Sequence, residues 1–95
     1  MNKYEAMFIV KSDLPEAERK NLFSHINDVI TKNNGNVQES SVWADKKKLY
    51  FSIKKQREGL YYLVSFTVSP LAIKEISHSY NLNENILRVL FTKLQ

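Results

Sequence analysis

Six basic side chains fall within residues 46–57 of this 95-residue sequence. They are Lys46, Lys47, Lys48, Lys54, Lys55 and Arg57, and the nearest acid on their C-terminal side is Glu58. Ammonium and guanidinium groups at this density can bind phosphate oxygens, and such clustering is typical of proteins that bind an anionic partner, usually a nucleic acid. The alternative is a solvated hairpin tip, because lysines on an exposed strand also discourage edge-to-edge pairing.

The net charge of +4 is divided unevenly along the chain. Residues 1–45 hold five basic and seven acidic side chains, whereas residues 46–95 hold nine basic and three acidic ones. The length, together with a hydrophobic content of 43%, predicts one compact domain over residues 1–95. The positive charge therefore belongs to one part of a single domain and not to a separate basic tail.

The composition also bears on the compartment. The chain has no cysteine, which excludes disulfides and thiolate metal sites and fits a reducing cytosol. The apolar run near the start is too short for a signal peptide or a membrane span. We therefore expect a soluble, cytoplasmic protein without a membrane partner.

The residues usual in catalysis form no recognisable constellation. His25 and His78 each lack a second histidine or a cysteine at ligand spacing, so we predict no metal site. The loop KSDLP, which comes after the first apolar run, lacks the glycines of a phosphate cradle and carries the anion-repelling Asp13. No serine lies in a nucleophile turn. We predict no enzyme activity, no cofactor and no small-molecule substrate.

The first half of the sequence predicts a strand, a helix and a second strand. In residues 4–10 one face carries Tyr4, Ala6, Phe8 and Val10, and the other carries Glu5, Met7 and Ile9. The helix is predicted to begin at an Asp13 N-cap with Pro15 in its first turn. It ends at KNNG, where Asn34 and Gly35 can take the left-handed conformation. A long second strand comes next, interrupted by ADKKK at residues 44–48.

The second half predicts a hairpin, a second helix and a last strand. The strand before the basic turn has one face formed by Leu49, Phe51 and Ile53. After the turn, to which we assign Gly59, the third strand has one face formed by Leu60, Tyr62, Val64, Phe66 and Val68. Ser69 caps a second helix with Pro70 at its first position. NILRVLFTKL then forms the last strand.

The element order β-α-β-β-α-β predicts an α+β fold, the ferredoxin-like sandwich. Its four-stranded antiparallel sheet carries both helices on one face, and the other face is open or covered by a partner. RNA-recognition modules share this order and stack bases on aromatics of the open face. Here Tyr62 lies on the predicted core face, so it cannot stack a base. Tyr61 lies on the open face but lacks an aromatic neighbour on the first strand, so base stacking is disfavoured.

Several segments, in this order and spacing, resemble the bacterial small-subunit ribosomal protein six family over nearly the whole chain. They are YEAMFIV, NNGNV, VWADKKKLYFSIKK, REGLYYLVSF and IKEISHSYNLNENILRVLF. The resemblance implies a ferredoxin-like fold and a place in the small ribosomal subunit. It also implies binding to the central domain of 16S ribosomal RNA together with ribosomal protein eighteen, as a heterodimer.

The resemblance also implies which residues bind RNA. The family's basic segment falls on Ala44 to Lys48, with lysines in place of arginines, and the next strand falls on Leu49 to Ile53 as LYFSI in place of LAYPI. Arg88 matches the family's arginine on the last strand; the alternative is an exposed strand residue paired with an acid. The predicted RNA contacts are Lys46, Lys47, Lys48, Lys54, Lys55, Arg57 and Arg88.

The partner surface is predicted from the residues. Exposed aromatics and an unpaired strand edge both favour protein binding, so Trp43, Tyr50 and Tyr61 are the candidate partner contacts. For Trp43 we favour the alternative of a core anchor near the end of the hairpin. A rival hypothesis for the whole chain is a small-ligand regulatory domain of the same fold that dimerises through its open face. The six basic side chains within residues 46–57 argue against that hypothesis, because a ligand-sensing dimer has no use for them.

Overall fold

The chain folds into the predicted order of strands and helices, with one short 3-10 helix added. The computed structural model describes residues 1–94, apart from the side chain of Phe51, whose predicted facing therefore lies outside the described residues. The elements are β1 (Asn2–Lys11), α1 (Glu16–Lys32), β2 (Asn36–Ile53), β3 (Gln56–Val68), a 3-10 turn (Pro70–Ala72), α2 (Ile73–Asn81) and β4 (Ile86–Lys93). This architecture confirms the α+β, ferredoxin-like fold.

The four strands form one sheet in the order β2-β3-β1-β4, and all three pairings are antiparallel. The central position predicted for the first strand is confirmed, because β1 pairs with β3 on one side and β4 on the other. The edges are β2 and β4. The long hairpin of β2 and β3 therefore has one unpaired side.

The core lies between the helices and one face of the sheet, as the alternation predicted. From the sheet it takes Tyr4, Ala6, Phe8, Val10, Leu60, Tyr62, Val64, Phe66, Val68 and Ile86. From the helices it takes Leu22, Ile26, Val29, Ile30, Ile76 and Tyr80. Tyr62 is only 5% exposed and stacks on Phe23 with ring centroids 4.0 Å apart. This burial confirms that its ring is not available to a base.

The start of α1 differs from the prediction. Asp13 is not the N-cap: the cap position is Pro15, with φ −56° and ψ 152°, and no side chain caps the helix. A proline disfavours the helical conformation of the residue before it, so Leu14 is a poor first helical residue and an N-cap at Asp13 is disfavoured. The Pro15 carbonyl accepts the first helical hydrogen bond from the Arg19 amide at 2.9 Å. Ser69 was predicted to cap the second helix, but its hydroxyl oxygen accepts from the Leu71 amide at the start of the 3-10 turn, whereas the N-cap of α2 is Ala72 and has no side-chain cap.

At the end of α1 only one of the two residues predicted for a left-handed cap adopts that conformation. Asn34 has φ 65°, whereas Gly35 does not have a positive φ. Gly35 is needed for a different reason. A Cβ there would lie 2.9 Å from the Ile30 carbonyl oxygen and 3.0 Å from that of Thr67. The glycine therefore allows the chain to pass closely between α1 and β3.

The predicted interruption of the second strand is wrong. Strand β2 runs continuously from Asn36 to Ile53, and the residues of ADKKK belong to it. The pairing with β3 instead shifts register at four places: between Val37 and Glu39, between Val42 and Ala44, between Ala44 and Lys47, and between Lys48 and Ile53. Lys46 has φ 51° within this irregular segment. Extra residues are thus absorbed as bulges, which increase the local twist of a strand without ending it.

The hairpin turn is formed by two lysines and not by a glycine. Lys54 and Lys55 have φ values of 50° and 67°, which is the pair of left-handed residues that a two-residue type I′ turn needs. Gly59, predicted to lie in the turn, lies within β3 opposite Lys11 and Lys47. Its role is close packing, because a Cβ there would lie 2.6 Å from Cγ2 of Ile9.

Replacing Gly59 with alanine is expected to destabilise the protein by about 1–3 kcal/mol, because the methyl group overpacks a buried contact. The entropy lost by the unfolded chain offsets only about 0.4–1 kcal/mol of that cost. Urea unfolding of the Gly59→Ala variant measures the difference. The double variant with Ile9→Ala is the control: it removes the Cγ2 methyl group that the new Cβ would meet, so Gly59→Ala should cost less in that background. A stability equal to that of the unmodified protein would contradict the close approach.

Within the part of the chain that the structure describes, no helix has both the length and the apolar character that crossing a lipid bilayer requires.

Candidate nucleic-acid interface

The basic residues lie on a hairpin that extends beyond the rest of the sheet. Strand β1 ends at Lys11, opposite Gly59, whereas the pairing of β2 with β3 continues to Ile53 and Gln56. On the β3 side the overhang is three residues, Gln56 to Glu58, which is roughly 10 Å at about 3.4 Å per residue. Exposed basic side chains lie level with the end of β1, at Lys46 and Lys47, and along the overhang, at Lys48, Lys54, Lys55 and Arg57. The segment is therefore a cationic projection at one end of the sheet.

The overhanging part of the hairpin folds back over the face of the sheet that lacks helices. Leu49 of the hairpin forms a small buried cluster with Ile9 of β1 and Leu87 of β4, and Ile53 and Tyr61 pack against it. The bulges of β2 supply the twist that this curvature needs. The sequence predicted a face that is open or covered by a partner, but part of it is covered by the chain itself.

Three predicted site residues form one cluster on the open face. The rings of Trp43 and Tyr61 have centroids 5.6 Å apart. The Lys47 ammonium lies 4.6 Å from the Trp43 ring centroid and 5.4 Å from that of Tyr61. A lysine over two aromatic faces gains a favourable cation–π interaction. We call Trp43, Lys47 and Tyr61 the aromatic cluster.

The favoured prediction that Trp43 is a core anchor is wrong. Its side chain is 56% exposed. The register shift between Val37 and Glu39 explains the error, because an extra residue in a strand reverses the facing of the residues after it, and Trp43 follows this shift. Trp43 therefore lies with Tyr61 on the open face and not between sheet and helices.

Tyr50 is fully exposed and lines two neighbouring grooves that contain other predicted site residues. It lines a surface groove together with Lys47, Lys48, Leu49 and Tyr61. A second, smaller groove beside it is lined by Ile9, Leu49, Tyr50, Ile53, Tyr61 and Arg88. Arg88 of β4 is thereby brought next to the hairpin, although the two are far apart in the sequence. The predicted RNA contacts and the predicted partner contacts are adjacent surfaces.

Among the basic side chains of the hairpin, Lys54 forms a hydrogen bond with another part of the chain. Its ammonium donates a hydrogen bond to the backbone carbonyl oxygen of Ile86, at 3.2 Å, across 32 residues of sequence. The tip of the hairpin is therefore attached to the first residue of β4. Lys48 also has a neighbour of opposite charge in the ladder, since it is paired with Glu58.

An ion pair that the sequence did not indicate lies at the base of the basic segment. Arg19 of α1 contacts the Asp45 carboxylate at 3.5 Å and donates to the Ser12 carbonyl oxygen at 3.2 Å. A partly exposed pair of this kind contributes at most about 1 kcal/mol to stability. Its relevance is electrostatic, because Arg19 offsets the acid that directly precedes Lys46.

The described residues contain no group of three His, Cys, Asp or Glu side chains arranged to hold a metal ion. Among the residues that the structure describes, Tyr80 has a clearly perturbed pKa. Burial, and secondarily the neighbouring Tyr62, raise the pKa of Tyr80 above its ordinary range. Tyr80 has no exposed surface, and its hydroxyl donates to the Ile26 carbonyl oxygen at 2.6 Å. This perturbation is therefore a property of the core and not of a reactive site.

A two-layer sandwich with a basic hairpin beside clustered, exposed aromatic side chains defines a binding module. A family model described as Ribosomal protein S6 matches residues 3–93. The chain belongs to this family and is a ribosomal protein of the small subunit. Proteins of the family are structural components of the ribosome, so the prediction that the chain is not an enzyme is confirmed.

Individual relatives agree with this assignment. Small ribosomal subunit protein bS6 of Helicobacter acinonychis is 40% identical over 93 residues, which cover 98% of this chain. The chain spans 65% of the length of that relative. The bS6 protein of Exiguobacterium sibiricum is 33% identical over 93 residues, covering 98% of this chain and 97% of its own length.

Solved structures agree as well. The crystal structure of 30S ribosomal protein S6 from Thermotoga maritima superposes with a TM-score of 0.87 at 26% identity, covering 98% of this chain and 87% of that one. The C-terminal domain of the MgtC protein from Mycobacterium tuberculosis gives a TM-score of 0.67 at 11% identity, over 99% of this chain and 88% of that one. The second likeness concerns the fold alone.

Proposed function

We propose that this chain binds the central domain of 16S ribosomal RNA together with ribosomal protein eighteen, as one half of a heterodimer in the cytoplasmic ribosome. The observation that carries the proposal is the groove in which Lys47 and Lys48 meet Tyr50 and Tyr61. It puts phosphate-binding side chains and exposed aromatics on adjacent surfaces of one hairpin. A chain that binds RNA and a second protein at once needs basic side chains for the RNA and exposed aromatics for the protein.

The RNA contacts in this proposal come from basic side chains on the hairpin and from Arg88, which lines the neighbouring groove. The hairpin contributes Lys46, Lys47, Lys48, Lys55 and Arg57, all exposed. Lysines act as point charges and lack the forked geometry of arginine, so they fix position on the phosphate backbone more than they select a sequence. Tyr62 is buried, so recognition does not rest on a base stacked there.

The protein contacts come from Trp43, Tyr50 and Tyr61 and from the unpaired edge of β2. Tryptophan and tyrosine are enriched among the residues that dominate binding energy at protein interfaces. An edge strand also presents unpaired backbone groups that a partner can complete. The alternative of a small-ligand domain that dimerises through an open sheet face fits less well, because the hairpin of the same chain covers part of that face.

A salt titration of binding to a central-domain fragment of 16S ribosomal RNA tests the proposal, with and without ribosomal protein eighteen. We expect tight binding mainly when the partner is present, and a steep linear fall of log affinity with log salt concentration. A fragment from another domain of the same RNA is the control. A folded protein that fails to bind under either condition would contradict the proposal.

The Trp43→Ala variant is expected to lose affinity for ribosomal protein eighteen by about 2 kcal/mol, roughly a 30-fold rise in Kd. Its stability should change by less than about 1 kcal/mol, because surface substitutions have small effects and Trp43 is 56% exposed. Isothermal titration calorimetry measures the first quantity and urea unfolding the second. Leu71→Ala is the control, an exposed leucine at the opposite end of the sheet. Equal losses in both variants would remove Trp43 from the interface.

A further inference from the structure

The basic hairpin is attached to the rest of the molecule at its far end as well as at its base. Lys54 lies at the turn and has φ 50°. Its ammonium donates to the Ile86 carbonyl oxygen at 3.2 Å. Since Ile86 is the first residue of β4, the bond joins the tip of the β2–β3 hairpin to the opposite edge of the sheet.

The Ile86 carbonyl belongs to an irregular part of the sheet. Between Ile9 and Val10 the register of β1 with β4 shifts, so Ile9 pairs with Arg88 and Val10 with Ile86. The register step leaves Leu87 between the two pairs, and its side chain joins the small cluster beneath the hairpin. An ammonium group can therefore complete the hydrogen bonding of a backbone group at this point.

The apolar contacts under the hairpin also hold it against the sheet. Leu49 and Ile53 pack on Ile9 and Leu87, next to the position of Lys54. Gly59 allows this packing, because any side chain there would collide with Ile9. The charged hydrogen bond and the small cluster thus hold one curved conformation of a hairpin that has no other strand beside its tip.

We propose that Lys54 is a positioning residue. Its bond to Ile86 holds the basic hairpin in place, and its ammonium group does not contact an RNA phosphate. The neighbouring Lys55 is exposed and is a phosphate contact in the proposed function. Two adjacent lysines of the same turn therefore have different tasks. The effect on RNA binding rests on the proposed function, whereas the effect on the hairpin does not.

The first test is made on the isolated protein. Lys54→Met should accelerate hydrogen exchange of the backbone amides in residues 49–58 by roughly three- to tenfold, as expected for the loss of one charge-assisted hydrogen bond. Lys55→Met, which removes the same charge one residue away, should leave these rates within about twofold. Lys54→Arg keeps a cationic donor and should restore slow exchange. Equal acceleration in both methionine variants would overturn the proposal.

A measurement on the unmodified protein does not depend on any variant. Nuclear Overhauser effects between the side-chain methylene next to the Lys54 ammonium and the protons of Ile86 or Leu87 are expected from the bond. Their absence, with the rest of the sheet assigned, would overturn the proposal.

The second test uses RNA and ribosomal protein eighteen. Loss of a phosphate contact lowers the slope of log affinity against log salt, by roughly one unit per contact. Lys55→Met should show this change. Lys54→Met should lower affinity by a similar factor at every salt concentration, giving a line parallel to that of the unmodified protein. A slope reduced by one unit in Lys54→Met, with normal amide exchange, would make Lys54 a phosphate contact. If the unmodified protein binds no RNA, the proposed function fails, and the exchange measurement still decides the role of Lys54.

Discussion

Replacing Tyr80 with alanine is expected to lower the free energy of unfolding by about 3–5 kcal/mol, since a large buried ring is lost and a cavity remains. Tyr80 has no exposed surface. Its ring packs edge-on against Phe8 with centroids 4.8 Å apart and lies near Phe91 at 6.4 Å. Tyr80 thus joins α2 to both β1 and β4. Urea unfolding measures the loss.

The Tyr80→Phe variant separates the ring from its hydroxyl group. It removes the hydrogen bond to the Ile26 carbonyl oxygen, which is 2.6 Å long, and should cost about 0.5–1.5 kcal/mol. If this variant is as unstable as Tyr80→Ala, the ring contributes nothing and the argument from packing is wrong. A loss below about 1 kcal/mol in Tyr80→Ala would contradict the burial itself.

The same hydroxyl should make stability depend on pH in the alkaline range. Burial, with Tyr62 as the second cause, raises the pKa of Tyr80 in the folded protein. In the unfolded chain the pKa is about 10. The folded state therefore keeps a proton that the unfolded state releases, and stability is lost as pH rises above about 10. Tyr80→Phe should show a shallower loss over that range, which urea unfolding at several pH values measures.

The pattern of faces in the sheet could be predicted from the sequence because it results from local geometry. Side chains alternate strictly along a strand, so spacing alone assigns Phe8, Tyr62 and Phe66 to the core. The helices are predicted in the same way, from apolar residues such as Ile26 and Ile76 at helical spacing. Where the backbone is regular, residue type and period determine which side is buried.

The errors occur where the backbone departs from that regularity. A single extra residue in β2 turned Trp43 from the predicted core side to the open face. The sequence does not indicate a bulge, because its cost and benefit depend on how the neighbouring strand twists. The lysine pair at the turn was missed for a related reason: type I′ turns favour Asn and Gly, and Lys54 and Lys55 carry no such signal.

The candidate site was predicted in its composition but not in its arrangement. The sequence identified the basic residues and the three aromatics, yet it gave no means of placing Arg88 beside Tyr50, or Arg19 against Asp45. Such contacts join elements that are distant in the chain, and they depend on sheet order and curvature. The hydrogen bond from Lys54 to Ile86 is of the same kind. The resemblance to a family suggested candidate RNA contacts, but it did not indicate the bond between Lys54 and Ile86.

Replacing Lys46, Lys47 and Lys48 together with alanine is expected to lower the slope of log RNA affinity against log salt by two to three units, roughly one per lost phosphate contact. All three are exposed on the hairpin, away from the core, so the fold should persist. If the salt-independent part of binding is unchanged, the lines for the two proteins converge near 1 M salt. A difference of two units then corresponds to about 100-fold weaker binding at 0.1 M. Filter binding at several salt concentrations, with ribosomal protein eighteen present, measures both quantities.

The matched control removes the same amount of charge from the opposite layer of the molecule. Lys20, Lys32 and Lys74 are exposed on or at the helices, and their joint replacement by alanine changes the net charge equally. If attraction by net charge were the whole effect, both triple variants would lose the same slope. Because counterions are released only where phosphates are contacted, we expect the helix variant to keep nearly the full slope. An unchanged slope in the hairpin variant would contradict the prediction. The three lysines would then be solvated residues of an edge strand that discourage its pairing with another chain.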